Sequence, residues 1–151
     1  MPNYKTHLTF GFVIGIIFIV AGLYFKAQEI PFFIIGFFIC LVYSLLPDID
    51  HPGAWIRRLT TYAVLAAIFC FALVKNTNYI LILSGSSLFI FIVAEITGHR
   101  GWFHSVTAAI VFSLPLIFFT DTVKIPLIPV SGFLSYLSHI VADKFIKEGD
   151  Q

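Results

Sequence analysis

Of the 151 residues, 59% are hydrophobic and only 11% charged, against roughly 25% charged in soluble domains. With mean hydropathy +0.97, a soluble fold is excluded, because domains of this size bury only about 70% of the surface that the unfolded chain exposes. The same apolarity excludes disorder, and a net charge of +1 with no basic stripe excludes nucleic acid as a partner.

An integral membrane protein remains, and the chain reads as one membrane-embedded domain over 1–151. Six runs contain no Asp, Glu, Lys or Arg: 8–25, 30–47, 59–74, 76–94, 105–120 and 125–142, each 16 to 19 residues long. A helix rises ~1.5 Å per residue, so crossing ~30 Å of hydrocarbon needs about 20 residues. Transmembrane strands are excluded, since they alternate apolar and polar residues and nothing here does. The runs predict an all-α integral membrane bundle of about six transmembrane helices, near 8–25, 30–47, 59–74, 76–97, 105–120 and 125–146. The first is longer than the roughly 7–15-residue core of a signal peptide and no A-x-A-like site follows it, so it is expected to be retained. Cys40 and Cys70 lie inside apolar runs and read as small hydrophobes.

Polar residues follow in chain order. His7 stands alone ahead of the first span. After the second, Pro47-Asp48-Ile49-Asp50-His51 is followed by Pro52 and Gly53. The prolines predict an extended segment. Residues two apart then share a face, which would pair the Asp48 and Asp50 carboxylates beside His51, a set suited to a divalent cation. A pair of helix-capping, turn-forming aspartates is the plain alternative. At the end of the fourth span Glu95 and His99 are four apart, on one helical face. The link His99-Arg100-Gly101-Trp102-Phe103-His104-Ser105 predicts a tight turn at Gly101 and an N-cap at Ser105. In the sixth span His139 and Asp143 are again i and i+4, and Gly132, Ser135 and Ala142 mark the same face as the packed one. His139 is therefore expected to point between helices, in a ligand pair, a proton relay or a structural hydrogen bond.

Alternating crossings put all five histidines, with Asp48, Asp50, Glu95 and Asp143, on the N-terminal side of the membrane. That side also carries Lys5, Arg57, Arg58, Arg100, Lys144 and Lys147, against Lys26, Lys75 and Lys124 opposite, so it is expected to be cytoplasmic. Histidine and carboxylate donors without cysteine suit Zn²⁺, with Mn²⁺ or Fe²⁺ as alternatives, as one ion or two. Arg57, Arg58 or Arg100 would hold a phosphate.

These motifs resemble the YdjM-like family: an N-terminal histidine (His7), PDIDH from Pro47 to His51, HRG-x-x-HS from His99 to Ser105, and H-x-x-x-D from His139 to Asp143. The resemblance covers nearly the whole chain. It implies an inner-membrane, LexA-regulated protein and a metal-dependent hydrolase, distantly similar to zinc-dependent phospholipase C and P1-nuclease-type enzymes. By that resemblance His7, Asp48, His51, His104, His139 and Asp143 would be ligands. Trp102 and Phe103 depart from the smaller residue expected before the HS pair, which bears on the mouth of the site.

Other hydrolase signatures are missing: no Lys/Arg-Pro and Ser-Gly-His pair for a lipid-phosphate phosphatase, and no H-E-x-x-H for an intramembrane zinc protease. Ser86 in the Gly85-Ser86-Ser87 run sits too deep in the fourth span to serve as a protease nucleophile. The expectation is a membrane-embedded phosphoester hydrolase, acting at the cytoplasmic face on a phosphate-containing substrate, with membrane lipid a candidate. Metal ligands would be drawn from His7, Asp48, His51, His99, His104, His139 and Asp143. Glu95 or Asp50 would act as base or as orienter of a ligating histidine, and Arg100 on the phosphate. A divalent-cation carrier or sensor, or a non-catalytic membrane scaffold, is the alternative. Six crossings put both ends on the cytoplasmic side, so a reporter active only in the periplasm, fused after residue 151, should stay silent; a strong signal would reverse the orientation.

Overall fold

The computed structural model describes residues 4–24, 30–73, 75, 77–98, 101–117 and 127–145. They form six α-helices: α1 (Tyr4–Tyr24), α2 (Ile30–Tyr43), α3 (Trp55–Leu73), α4 (Thr77–Thr97), α5 (Val106–Ser113) and α6 (Leu127–Phe145). Short 3₁₀ helices run over Leu46–Asp50 and Trp102–His104, and no strand occurs among the described residues. Three helical stretches, Tyr4–Tyr24, Trp55–Leu73 and Ile80–Thr97, are long and apolar enough to cross a membrane. Large apolar side chains lie open along the helices, with Val20 60%, Phe69 64% and Phe89 69% exposed. Lipid, not water, is the solvent that tolerates such a surface. Cys40 is buried, whereas Cys70 lies exposed on α3.

Several helix ends differ from the charge-free runs. Helix α1 starts at Tyr4 and α3 at Trp55, so that Lys5, Arg57 and Arg58 sit in first turns. A charge marks where a span ends, not where a helix ends, because long basic side chains snorkel from helical positions. Helix α2 stops at Tyr43, short of Pro47. The chain then turns and enters Leu46–Asp50 as a 3₁₀ helix, not the extended segment expected of PDIDH. Pro47 is compatible with that turn because its fixed φ suits the start of a helical segment. In a 3₁₀ helix residues three apart eclipse, so Asp48 aligns with His51, whose N–H its carbonyl accepts at 3.0 Å, in place of the expected alignment of Asp48 with Asp50. Helix α5 is interrupted by a turn at Leu114, where Pro115 withholds the N–H that would reach Val111, and the helical run resumes to Ile117. Of the residues used for orientation, Lys26, Arg100, Lys124 and Lys147 lie outside the described residues.

Contacts divide the chain into two compact units, residues 1–47 with 104–151, and residues 48–103. In the first, α6 packs against α1, α2 and α5, and α1 packs against α2. The buried face of α1 is His7, Gly11, Gly15, Phe18 and Gly22, spaced by four, four, three and four. Gly11 and Gly15 form a G-x-x-x-G pair, which in membranes lets two helix backbones approach closely. The space that a side chain would need at Gly22 is filled by the Phe33 ring, and Phe33 meets Phe18 edge to face at 6.3 Å. Cys40, Leu116 and Ile128 complete this core. Tyr43 Oη donates to the Phe112 carbonyl at 2.7 Å, fixing the end of α2 to α5.

The second unit is the α3–α4 pair. Arg57 donates to Glu95 Oε1 at 2.6 Å and lies over the Phe91 ring at 5.3 Å. Helix α4 ends at Gly98, whose φ of +67° suits glycine at a helix C-terminus. The tight turn expected at Gly101 thus takes its left-handed residue at Gly98, and Gly101 closes it by donating to the Gly98 carbonyl at 3.1 Å.

A leucine at Gly22 would overpack α1 against Phe33, so Gly22→Leu should cost about 1–3 kcal/mol, read as a lower melting midpoint in detergent. Gly85→Leu is the control, since nothing lies within 4 Å of a side chain there; equal midpoints for the two variants would refute the close packing of α1 on α2.

Candidate metal centre

Four polar side chains of the first unit meet where α1 begins, α2 ends, α5 begins and α6 ends. Helix α6 supplies two of them. Its buried face, Ile128, Ser131, Gly132, Ser135, Tyr136, His139 and Ala142, follows helical spacing. Gly132, Ser135 and Ala142 are all on it, as the small-residue pattern predicts. His139 is completely buried, and Asp143, one turn on, is 11% exposed. His7 is 1% exposed in the first turns of α1. His104 sits just before Ser105, whose side chain accepts the Ala108 N–H at 3.1 Å as the N-cap of α5.

Asp143 is the hub. Its Oδ2 lies 3.1 Å from His104 Nε2 and 3.5 Å from His139 Nε2, and its Oδ1 lies 3.5 Å from His7 Nε2. His7 and His139 stack with ring centroids 3.6 Å apart and planes 15° from parallel. The His104 ring stands edge-on to His139 at 5.2 Å. The far side of His139 is settled by α2. The last carbonyls of a helix have no partner inside it and carry the negative end of its dipole. One of these, from Ser44, lies 2.8 Å from His139 Nδ1. A carbonyl can only accept, so Nδ1 carries a proton, and in the neutral ring Nε2 presents its lone pair toward Asp143.

A lone pair facing a carboxylate is the arrangement in which a cation fits between. Two ligand atoms each ~2.1 Å from a tetrahedral ion lie about 3.4 Å apart, close to the 3.1–3.5 Å found. The 3.1 Å His104–Asp143 distance is also that of an ordinary N–H···O hydrogen bond, whereas the 3.5 Å distances from His7 and His139 exceed the usual ~3.2 Å. Ligand atoms of His104, His139 and Asp143 all fall within 4.8 Å of one another. A backbone carbonyl on the outer nitrogen of a histidine is also the usual device for orienting a metal ligand. The donor set thus fits a divalent ion.

The other expected site residues belong to the second unit. Asp48 and Asp50 lie in the 3₁₀ helix Leu46–Asp50. His51 follows it, and its Nδ1 accepts the Gly53 N–H at 3.0 Å. That bond places the ring proton on Nε2, so ligation by His51 requires it to open. Glu95 is engaged by Arg57. His99 and Arg100 lie outside the described residues.

The model of the YdjM inner membrane protein family matches residues 1–151. The chain belongs to that family. No curated protein and no solved structure matches this YdjM-family chain.

Two features of the site were faint in the sequence. His7 reads as a lone histidine before a helix, yet it is four residues ahead of Gly11 and so heads the glycine face of α1. The Ser44 carbonyl has no side-chain signal at all. Its approach depends on Gly11, where a Cβ would meet Ser44 Oγ, Ser44 Cβ at 2.7 Å and the Cys40 carbonyl at 3.0 Å. In metal-free protein, nitrogen NMR should therefore find His139 with its proton on Nδ1, and Gly11→Ala, by displacing Ser44, should mix the tautomers. An unprotonated Nδ1 in the parent protein would contradict the Ser44 bond.

Proposed function

We propose that this chain is a membrane-embedded, metal-dependent hydrolase of phosphoesters, working at the cytoplasmic face. The observation that carries the reading is the convergence of His104, His139 and Asp143 at ligand spacing, with the outer nitrogen of His139 fixed by a carbonyl. These three residues would hold the ion, with His7 on the second oxygen of Asp143 as a further ligand or a clamp on the carboxylate. Three imidazoles and one carboxylate suit Zn²⁺ best, and Mn²⁺ or Fe²⁺ next. Bound there, the ion would supply a Lewis acid and an acidified water at neutral pH.

The chain's own groups set the rest. Asp143 brings the one negative charge among the four. The packing of α6 on α1 and α2 keeps His7 and His139 from water, which strengthens their interaction with any charge between them. Asp48, Asp50, His51, His99, Glu95 and Arg100 are proposed from the sequence: Asp48, His51 and His99 as ligands, Asp50 or Glu95 as base or orienter, and Arg100 on the phosphate. The distant likeness to zinc-dependent phospholipase C and P1-nuclease-type enzymes belongs to the same proposal, as does the cytoplasmic orientation.

Metal analysis of detergent-purified protein tests it, with Asp143→Asn and His139→Ala prepared alongside and melted thermally. Asp143→Asn keeps the shape but removes the charge, so metal content and phosphoester hydrolysis should fall together while the helices stay folded. As an orienting residue only, its loss would cost about 10–100-fold in affinity or activity. Metal bound by the parent without hydrolysis of any phosphoester would favour the carrier or sensor, and no metal in any variant the scaffold.

A further inference from the structure

The helix pair that flanks the cluster also bears an apolar groove of about 300 Å³. Ile110, Leu114 and Ile117 wall it on α5 and its continuation, and Pro129, Val130 and Phe133 wall it on α6. The hydroxyl of Ser113, also on the lining, is spent on the Ala109 carbonyl at 2.7 Å, so the groove asks for no polar partner. Ile110, Leu114 and Val130 are 49%, 51% and 53% exposed, so the groove opens outward, to hydrocarbon in a chain of this family.

Groove and cluster are in register. On α6, Pro129, Phe133, Ile140 and Asp143 are spaced by four, seven and three, which keeps them along one side of the helix. On α5, Ile110 follows His104 by six residues, and on α6 Phe133 precedes Asp143 by ten. At ~1.5 Å per residue the groove starts about 9–15 Å deeper than the cluster. Half the difference between a whole bilayer and its hydrocarbon core is about 5–7 Å, so that offset spans a headgroup region and the first methylenes below it. The cluster is also least covered on this side. His104 and Asp143, which border the groove's helices, are 7% and 11% exposed, against 1% and 0% for His7 and His139.

We infer that the phosphoester taken by the site is a membrane lipid, one acyl chain of which lies in the α5–α6 groove while its phosphate meets the His104–Asp143 edge. The inference rests on the metal-site reading above and adds the substrate class. The occupant is an acyl chain because the groove is apolar, outward-facing and continuous in register with the cation-ligand cluster of this unit. A soluble phosphoester has no use for it.

The test uses the full chain in phosphatidylcholine nanodiscs with a trace of phosphatidic acid carrying a photoactivatable group in mid-chain. A diacylglycerol with the same labelled chain and no phosphate is the comparison. Phosphatidic acid should label Ile110, Leu114 and Val130 in preference to the equally lipid-facing Val20 and Phe69, and diacylglycerol should not discriminate. Filling the groove with Ile110→Trp or Val130→Trp should lower groove labelling roughly tenfold, and Val20→Trp should leave it unchanged. Both groove positions are half exposed, so neither change overpacks a core, and melts of each variant check this. Even labelling around all exposed helices, or groove labelling indifferent to both tryptophans, would overturn the inference. Metal content is measured on the same samples. A metal-loaded protein with even labelling dismisses the lipid seat alone, whereas a metal-free protein that still labels selectively dismisses the hydrolase and keeps the seat.

Discussion

The first unit depends on how an apolar helix bundle tolerates a carboxylate and three imidazoles at one end. Polar atoms removed from water are costly unless each is met by another. The turn just past the end of α2 supplies the key partner, because the last carbonyls of a helix have no partner within it. Ser44 hands its carbonyl to His139, which decides the tautomer of that ring. The tautomer in turn decides which nitrogen faces Asp143. That hydrogen bond fixes the orientation of His139, while helical periodicity places Asp143 one turn later, where His7 and His104 also reach its carboxylate.

Helix contacts serve this arrangement from below. The glycine face of α1 lets α2 come close enough for Ser44 to reach α6, and His7 is at the top of the same face. Structural and chemical requirements are therefore written on one stripe of α1. In membranes helices gain little by hiding from lipid, so close contact through small residues supplies the attraction. The same small residues recur on α6 as Ser131, Gly132, Ser135 and Ala142, and they hold His139 inward.

The chemistry proposed for this site is that of a divalent ion held by neutral imidazoles and one carboxylate. Set beside an outward-facing apolar groove on α5 and α6, the cluster has the two-part character of a lipid: a charged group at the interface and a chain beneath it. The second unit contributes a different device, the Arg57–Glu95 pair, which ties α3 to α4.

Composition and charge-free runs alone determined that the chain is a helical membrane protein, because hydrocarbon demands that every backbone group be paired within its own segment. The i, i+4 spacing of His139 and Asp143, with small residues on the same face, was enough to turn that pair toward neighbouring helices, since helical periodicity is a property of the backbone. The N-cap at Ser105 was legible for the same local reason. Tertiary structure decided the rest. Leu46–Asp50 became a 3₁₀ helix, and so changed which residues of PDIDH share a face, because a proline's fixed φ suits the start of a helical segment as well as an extended one. His7 passed from an isolated residue to a partner of Asp143, because only the docking of α1 on α6 brings residues 136 positions apart within 3.5 Å. The Ser44 carbonyl is common to all amino acids and carries no sequence signature, so its role in orienting His139 exists only once helix ends are arranged in space.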